Sequence, residues 1–195
     1  KSITALSLLG LQPPTASVTG QVHFDGTELV GADAATLRAI RGNQVGMIFQ
    51  EPMSSLNPVH TIGKQIGEVL AVHQGLRRNA ARARTLDLLD AVGIPDPQGR
   101  IDDYPHQLSG GQRQRAMIAM ALANDPKLLI ADEPTTALDV TVQAQVLDLL
   151  KSLQQAHGMA LLFITHDLSI VRHIADRVCV MTNGEMVETG ATQTI

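Results

Sequence analysis

Cysteine is nearly absent. Cys179 stands alone among 195 residues, which excludes an intramolecular disulfide framework and a cysteine-based zinc site. It lies in the apolar run 178–181 and is expected to be a buried structural thiol. Aromatic residues are as scarce, with no tryptophan, one tyrosine and three phenylalanines. The basic group Arg77, Arg78, Arg82 and Arg84 therefore has no interleaved rings for stacking bases, and Asp87 and Asp90 follow closely, so it reads as a solvated helix face. Nor is there an excess of positive charge. The net charge is −4 and the pI about 5.9, which argues against a general grip on nucleic acid. No run approaches the roughly 18 apolar residues of a membrane span. No signal-peptide pattern is visible and no internal repeat is found, so the expectation is a soluble or peripheral cytoplasmic protein.

What the chain does have is concentrated between Leu108 and Asp139. Leu108-Ser109-Gly110-Gly111-Gln112 opens an apolar, alanine- and methionine-rich segment that reads as a buried helix over residues 116–123. Ser109 is a good N-cap, and Gly110 and Gly111 let a backbone come close to a ligand. The free N–H groups and partial positive charge of such a helix start suit a phosphate. Leu128 to Ala131 then forms a short apolar strand that delivers Asp132 and Glu133 to its carboxyl end, where open α/β sheets place their ligands. Asp132 can hold Mg²⁺ and Glu133 can take a proton from an attacking water. Either motif alone is matched equally well by a glycine-rich turn or by a core strand ending in two solvated acids. The two in this order, joined by a helix and a strand, are not.

Lys1-Ser2, running straight into an apolar helix-like segment that stops near Gly10, has the form of the last two residues of the phosphate-binding loop G-x-x-x-x-G-K-[ST]. Asp25-Gly26 and Asn183-Gly184 are hairpin turns. Asp33 caps a short helix through Leu37 and Ile40, and residues 45–49 form an apolar strand ended by Gln50. That glutamine either ligates a metal or orients water, or is simply a polar residue leaving a strand. Helices are expected over 61–73 and 79–92, with a loop over 93–104. A further helix beyond Asp139 has Thr141 as its cap. Residues 159–164 read as a parallel strand buried on both faces, with His166 at its carboxyl end. His60, His73 and His173 read as surface or helix-face residues. Alternating strands and helices argue for an α/β fold with a mostly parallel sheet, and the hairpins add an antiparallel piece.

These residues are similar to the motif set of ATP-binding-cassette (ABC) ATPases. Residues 108–112 resemble the family signature and residues 128–133 its Walker B strand with the catalytic glutamate. Lys1-Ser2 resembles the end of Walker A, Gln50 the Q-loop, Ala137-Leu138-Asp139 the D-loop and His166 the switch histidine. All stand in family order. Residues 50–58, Gln50-Glu51-Pro52-Met53-Ser54-Ser55-Leu56-Asn57-Pro58, further resemble the group that energises importers of dipeptides, oligopeptides and nickel, as does Tyr104-Pro105-His106-Gln107.

The resemblance implies a P-loop NTPase core over about 1–50 and 125–195, a helical subdomain inserted over about 51–124, and a partial antiparallel β-subdomain, all within one ATPase domain. It implies ATP and Mg²⁺. Lys1, Ser2, Ser109, Gly110, Gly111, Gln112 and Asp139 would bind nucleotide. Ser2, Gln50 and Asp132 would hold the metal, and Glu133, His166 and Gln50 would be catalytic. The implied partners are a second cassette in a head-to-tail dimer, transmembrane permease subunits meeting Glu51 to Ile62, and indirectly a solute-binding protein, but not nucleic acid. The implied place is the cytoplasmic face of the cell membrane. The phosphate-loop glycines would stand before Lys1, so the chain is expected to be a piece of a longer protein that holds nucleotide poorly by itself. A soluble, non-transport cassette ATPase and a non-catalytic docking module remain as alternatives.

Overall fold

The computed structural model describes residues 1–50, 55–136 and 138–195. Glu51, Pro52, Met53 and Ser54 of the expected permease contact, and Ala137 of the D-loop, lie outside the described residues. The chain divides into two compact units, Lys1–Leu37 with Phe163–Ile195, and Arg38–Leu162.

The first unit is built from short helices and two tight hairpins. Helix α1 (Ser2–Leu8) buries Ala5, and Leu9 beyond it is also buried. Helix α2 (Ala34–Ile40) follows Asp33, whose carboxylate accepts from Thr36 N–H at 2.7 Å. Strands β1 (His23–Phe24) and β2 (Thr27–Glu28) pair antiparallel. Their turn places both Asp25 and Gly26 at positive φ, 50° and 80°, the mirror-image turn that matches the twist of two strands. Helix α8 (Leu168–Ile174) precedes β6 (Arg177–Thr182) and β7 (Glu185–Ala191), which form a second hairpin with Asn183 and Gly184 at φ 51° and 86°. Both dipeptides thus make the turns expected of them. Cys179 does not follow its expectation. It is exposed, because β6 pairs with β7 in a two-stranded ribbon and its residues alternate between faces.

Glu28 holds the first hairpin in register. Its Oε1 accepts from the backbone N–H of Val22 at 2.9 Å and of Val30 at 2.8 Å. Those donors, Val22 first, hold the carboxyl below the usual glutamate range despite partial desolvation, and nearby His23 adds to the effect. A carboxylate with a depressed folded-state pKa contributes stability above its unfolded value, near ~4.3, and loses it as pH falls through the lower folded value. Hairpin amide protection in Val22 and Val30 should therefore persist at pH 5 and fade in stronger acid. Glu28→Gln should remove that acid dependence in an NMR titration, and an unchanged profile would count against the linkage.

The second unit carries the parallel sheet. Strands β3 (Val45–Ile48) and β4 (Leu128–Asp132) pair in parallel, Val45 opposite Leu128 and Ile48 opposite Ala131. Strand β5 (Ala160–Ile164), whose first three residues belong to this unit, completes the order β3-β4-β5. Ile48, Leu129 and Ile130 fill the sheet core with Ile118 of helix α6 (Gly110–Leu122) and Leu150 of helix α7 (Val140–His157). The central strand β4 is buried along nearly its whole length, but β5 is not. Ala160 and Leu162 are exposed, so the apolar run expected to be buried on both faces is half open at the edge of this sheet.

Helices α3 (Ile62–Gln74), α4 (Arg78–Ala91) and α6 pack together. Thr61 caps α3 by accepting from Lys64 N–H, and Gly75 ends it in the left-handed conformation. The expected loop 93–104 contains one further turn of helix, α5 (Pro97–Arg100). Asp96 caps it and proline stands at its first position, a start signal the sequence does carry. Two arginines of α4 are engaged at the surface. Arg82 makes a two-pronged pair with Asp102 at 2.9 and 2.8 Å, and Arg84 reaches Asp125. Among the described residues no helix is long and apolar enough to cross a membrane.

Candidate functional site

The parallel register leads directly to a pair of polar side chains. Ile48 lies opposite Ala131, and two residues further along the chain from each, just past the strand ends, stand Gln50 and Glu133. Gln50 Nε2 donates to Glu133 Oε2 at 3.3 Å. Thr136 Oγ1 donates to the same oxygen at 2.8 Å. Glu133 sits at φ 47°, a left-handed conformation that a non-glycine residue holds at a cost of order 1–3 kcal/mol unless its surroundings enforce it. The carboxylate is thus aimed by strain in its own backbone and by two donors from different segments. Asp132, the last residue of β4, is 5% exposed. Thr136 was not legible as a site residue. Its signal is its place three residues after Glu133 in a tight turn whose Thr136 N–H bonds the Glu133 carbonyl.

Ser109 begins α6 as expected. Its Oγ accepts from Gln112 N–H at 3.2 Å, while Ser109 N–H donates to Gln112 Oε1 at 2.9 Å, a complete capping box. Gly111 faces the start of α7, where a Cβ would stand 2.9 Å from Val142 Cγ1. The glycine that suits a ligand is also required by this helix contact. The cap of α7 is Asp139, whose carboxylate accepts from Val142 N–H at 2.9 Å, and not Thr141. Both residue types cap well. Aspartate two residues earlier wins because the extended backbone at φ −66°, ψ 159° falls there.

In the first unit, Lys1 and His166 come into one neighbourhood. Lys1 Nζ donates to the Thr165 carbonyl at 2.9 Å, beside exposed His166. Asp167 follows as the cap of α8. It accepts from the Ser169 hydroxyl at 2.7 Å and the Ser169 N–H at 2.8 Å, and those bonds hold its carboxyl below the ordinary range. Ser2 is the first residue of α1. Lys1, Ser2 and His166 therefore belong to one unit, and Gln50, Ser109, Gly110, Gly111, Gln112, Asp132, Glu133 and Asp139 to the other.

The model for the family described as ABC transporter matches residues 1–136. The chain belongs to the ABC transporter family. Similarity extends along the whole sequence. It is 62% identical over 197 residues to a peptidoglycan transport ATP-binding protein, YejF, of Agrobacterium fabrum, covering 100% of this chain and 36% of that protein. It is 51% identical over 197 residues to the oligopeptide transport ATP-binding protein OppD of Bacillus subtilis, covering 100% of this chain and 55% of that protein. The chain thus spans between about a third and just over half of these relatives' length. Among solved structures, a dimeric post-hydrolysis state of the ATP-binding cassette MJ0796 bound to ADP and Pi superposes with a TM-score of 0.82 at 30% identity, covering 97% of this chain and 80% of that one. cbiO1 from Clostridium perfringens, part of the ABC transporter complex cbiONQ, gives 0.80 at 29% identity, covering 99% and 73%. The chain has the α/β fold of the ATP-binding cassette.

Within the second unit, Gln50 and Asp132 offer an amide and a carboxylate oxygen, the hard donors Mg²⁺ prefers. Among the described residues no group of three or more His, Cys, Asp or Glu gathers as a protein-only cage.

Proposed function

We propose that this ABC ATPase domain binds and hydrolyses ATP to energise an importer of peptides or a related small solute. The observation that carries the reading is Gln50 paired with Glu133 at the carboxyl ends of adjacent parallel strands, in a chain 51% identical to an oligopeptide transport ATP-binding protein. The proposed chemistry is phosphoryl transfer to water. Glu133 takes a proton from the water whose oxygen attacks the γ-phosphorus, the bond to ADP breaks, and ADP and inorganic phosphate leave. His166 and Gln50 orient the water and the γ-phosphate. Lys1 meets phosphate oxygens as a point charge, and Ser2, Gln50 and Asp132 hold Mg²⁺. When bound, that ion neutralises charge developing on the phosphates.

Ser109, Gly110, Gly111 and Gln112 serve the nucleotide of a second cassette in a head-to-tail pair, with Asp139 linking the two sites. That the similar cassette MJ0796 forms dimeric structures supports the pairing of two cassettes. In this reading the core spans about 1–50 and 125–195 and the helical insertion about 51–124. Transmembrane permease subunits meet the segment from Glu51 to Ile62, a solute-binding protein acts through them, and the protein sits peripherally on the cytoplasmic face of the membrane. The full-length protein reconstituted in nanodiscs with its membrane subunits should hydrolyse ATP faster when a peptide-loaded binding protein is added. Hydrolysis by a full-length protein that assembles with no membrane subunit would overturn the importer reading.

A further inference from the structure

Thr165 bonds Lys1 and precedes His166, yet the proposed chemistry gives it no task. Strand β5 ends at Ile164 and α8 begins at Leu168. Three residues carry the chain from strand to helix, and His166 is the middle one. The peptide unit on each side of His166 is pinned, and Thr165 makes both bonds. On the near side, the Thr165 carbonyl accepts from Lys1 Nζ at 2.9 Å. On the far side, Asp167 N–H donates to Thr165 Oγ1 at 3.0 Å. This second bond closes a turn in which a side-chain hydroxyl does the work of a backbone carbonyl.

The residues around His166 are anchored in their own right. Ile164 is buried at the end of β5. Asp167 is tied to α8, because its carboxylate accepts from the Ser169 N–H and hydroxyl at 2.8 and 2.7 Å, and its carbonyl accepts from Val171 N–H at 3.4 Å. His166 itself is exposed, so burial does not set its place and the turn does. A threonine that merely ended a strand would only have to satisfy one backbone donor. Solvent can serve an N–H that is part-buried, but it cannot fix the direction of the peptide that follows His166.

We infer that Thr165 is a positioning residue whose hydroxyl fixes the peptide between His166 and Asp167, so that the imidazole is already oriented when the γ-phosphate and water arrive. The inference rests on the proposed role of His166.

The test compares full-length protein, held with its membrane subunits in nanodiscs, as parent, Thr165→Val, Thr165→Ser, His166→Ala and the double variant of Thr165→Val with His166→Ala. Single-turnover phosphate release followed over hours reads the chemistry, and calorimetry reads ATP affinity. Valine keeps the branched shape and suits the end of a strand. It offers no acceptor, while the backbone carbonyl that meets Lys1 is retained. Hydrogen exchange at Asp167 N–H, measured without nucleotide, should accelerate in Thr165→Val and stay parent-like in Thr165→Ser. Thr165→Val should release phosphate about tenfold more slowly with parent-like ATP affinity, and Thr165→Ser should restore the rate. In the double variant the valine should cost nothing beyond His166→Ala, because the hydroxyl acts through the imidazole. Losses that multiply in the double variant would assign the hydroxyl to Lys1 or to general stability and overturn the inference. Parent-like release by Thr165→Val, or a Thr165→Ser rate as low as that of valine, would also overturn it while leaving the role of His166 standing. Parent-like release by His166→Ala would overturn that role, and the inference with it.

Discussion

Glu133→Gln in the full-length protein is expected to lower ATP turnover by roughly 10²–10⁴-fold, the usual contribution of a positioned general base, with ATP affinity close to that of the parent. The geometry makes this a clean substitution. Glutamine matches glutamate in volume and backbone demands, so it inherits the same left-handed φ of 47°. Its amide oxygen can still accept from Gln50 Nε2 and Thr136 Oγ1, the two donors that fix the glutamate. What it loses is the ability to take a proton. Single-turnover phosphate release and calorimetric ATP binding separate chemistry from affinity. Hydrolysis near the parent rate would show that Glu133 is not the base. Matched losses of affinity and turnover would show that its role is structural. The strain at Glu133 sharpens the expectation, because a backbone of that kind persists where its surroundings over-determine it, and such places cluster at functional sites.

Much of this arrangement was legible locally. Asp25-Gly26 and Asn183-Gly184 demand positive φ at both turn positions, and the structure provides it. Ser109 followed three residues later by Gln112 is a capping box in sequence and in space. The pairing of Gln50 with Glu133 was implicit in two apolar segments that each end in a polar residue, but it needed the register to become a distance. What was illegible depends on neighbours. An apolar run does not say how many of its faces are covered, so β5 and Cys179 were expected to be buried and are partly or wholly open. Two good caps two residues apart, Asp139 and Thr141, are separated by the backbone at the helix entry and not by propensity. Gln65 carries no local signal at all, since a glutamine inside a helix looks the same whether it meets solvent or clamps a loop eight residues away.

Gly46→Val is expected to destabilise the protein by about 3 kcal/mol, the upper part of the usual overpacking range. For a domain of this size that lowers the melting temperature by roughly 6–12 °C. Two effects compete. Valine is the better strand former, and in β3 this preference would stabilise by up to about 1 kcal/mol where there is room. There is none. A Cβ at Gly46 would run into the carbonyl oxygen of Ala121 in α6, with the carbonyl carbon at 3.2 Å and Leu129 Cδ1 at 3.3 Å. The obstacle is mainly backbone, which cannot swing aside as a flexible side-chain tip does. Relief requires α6 to move off β3, and these two elements carry Ser109 and Gln50. ATP turnover should therefore fall with stability. Gly46→Ala should lie between parent and valine, because its single methyl meets the same carbonyl without valine's branches. Thermal unfolding followed by circular dichroism reads the sign directly. A melting temperature raised by valine would mean that strand propensity outweighs the clash, and that Gly46 is not the point at which α6 is seated on the sheet.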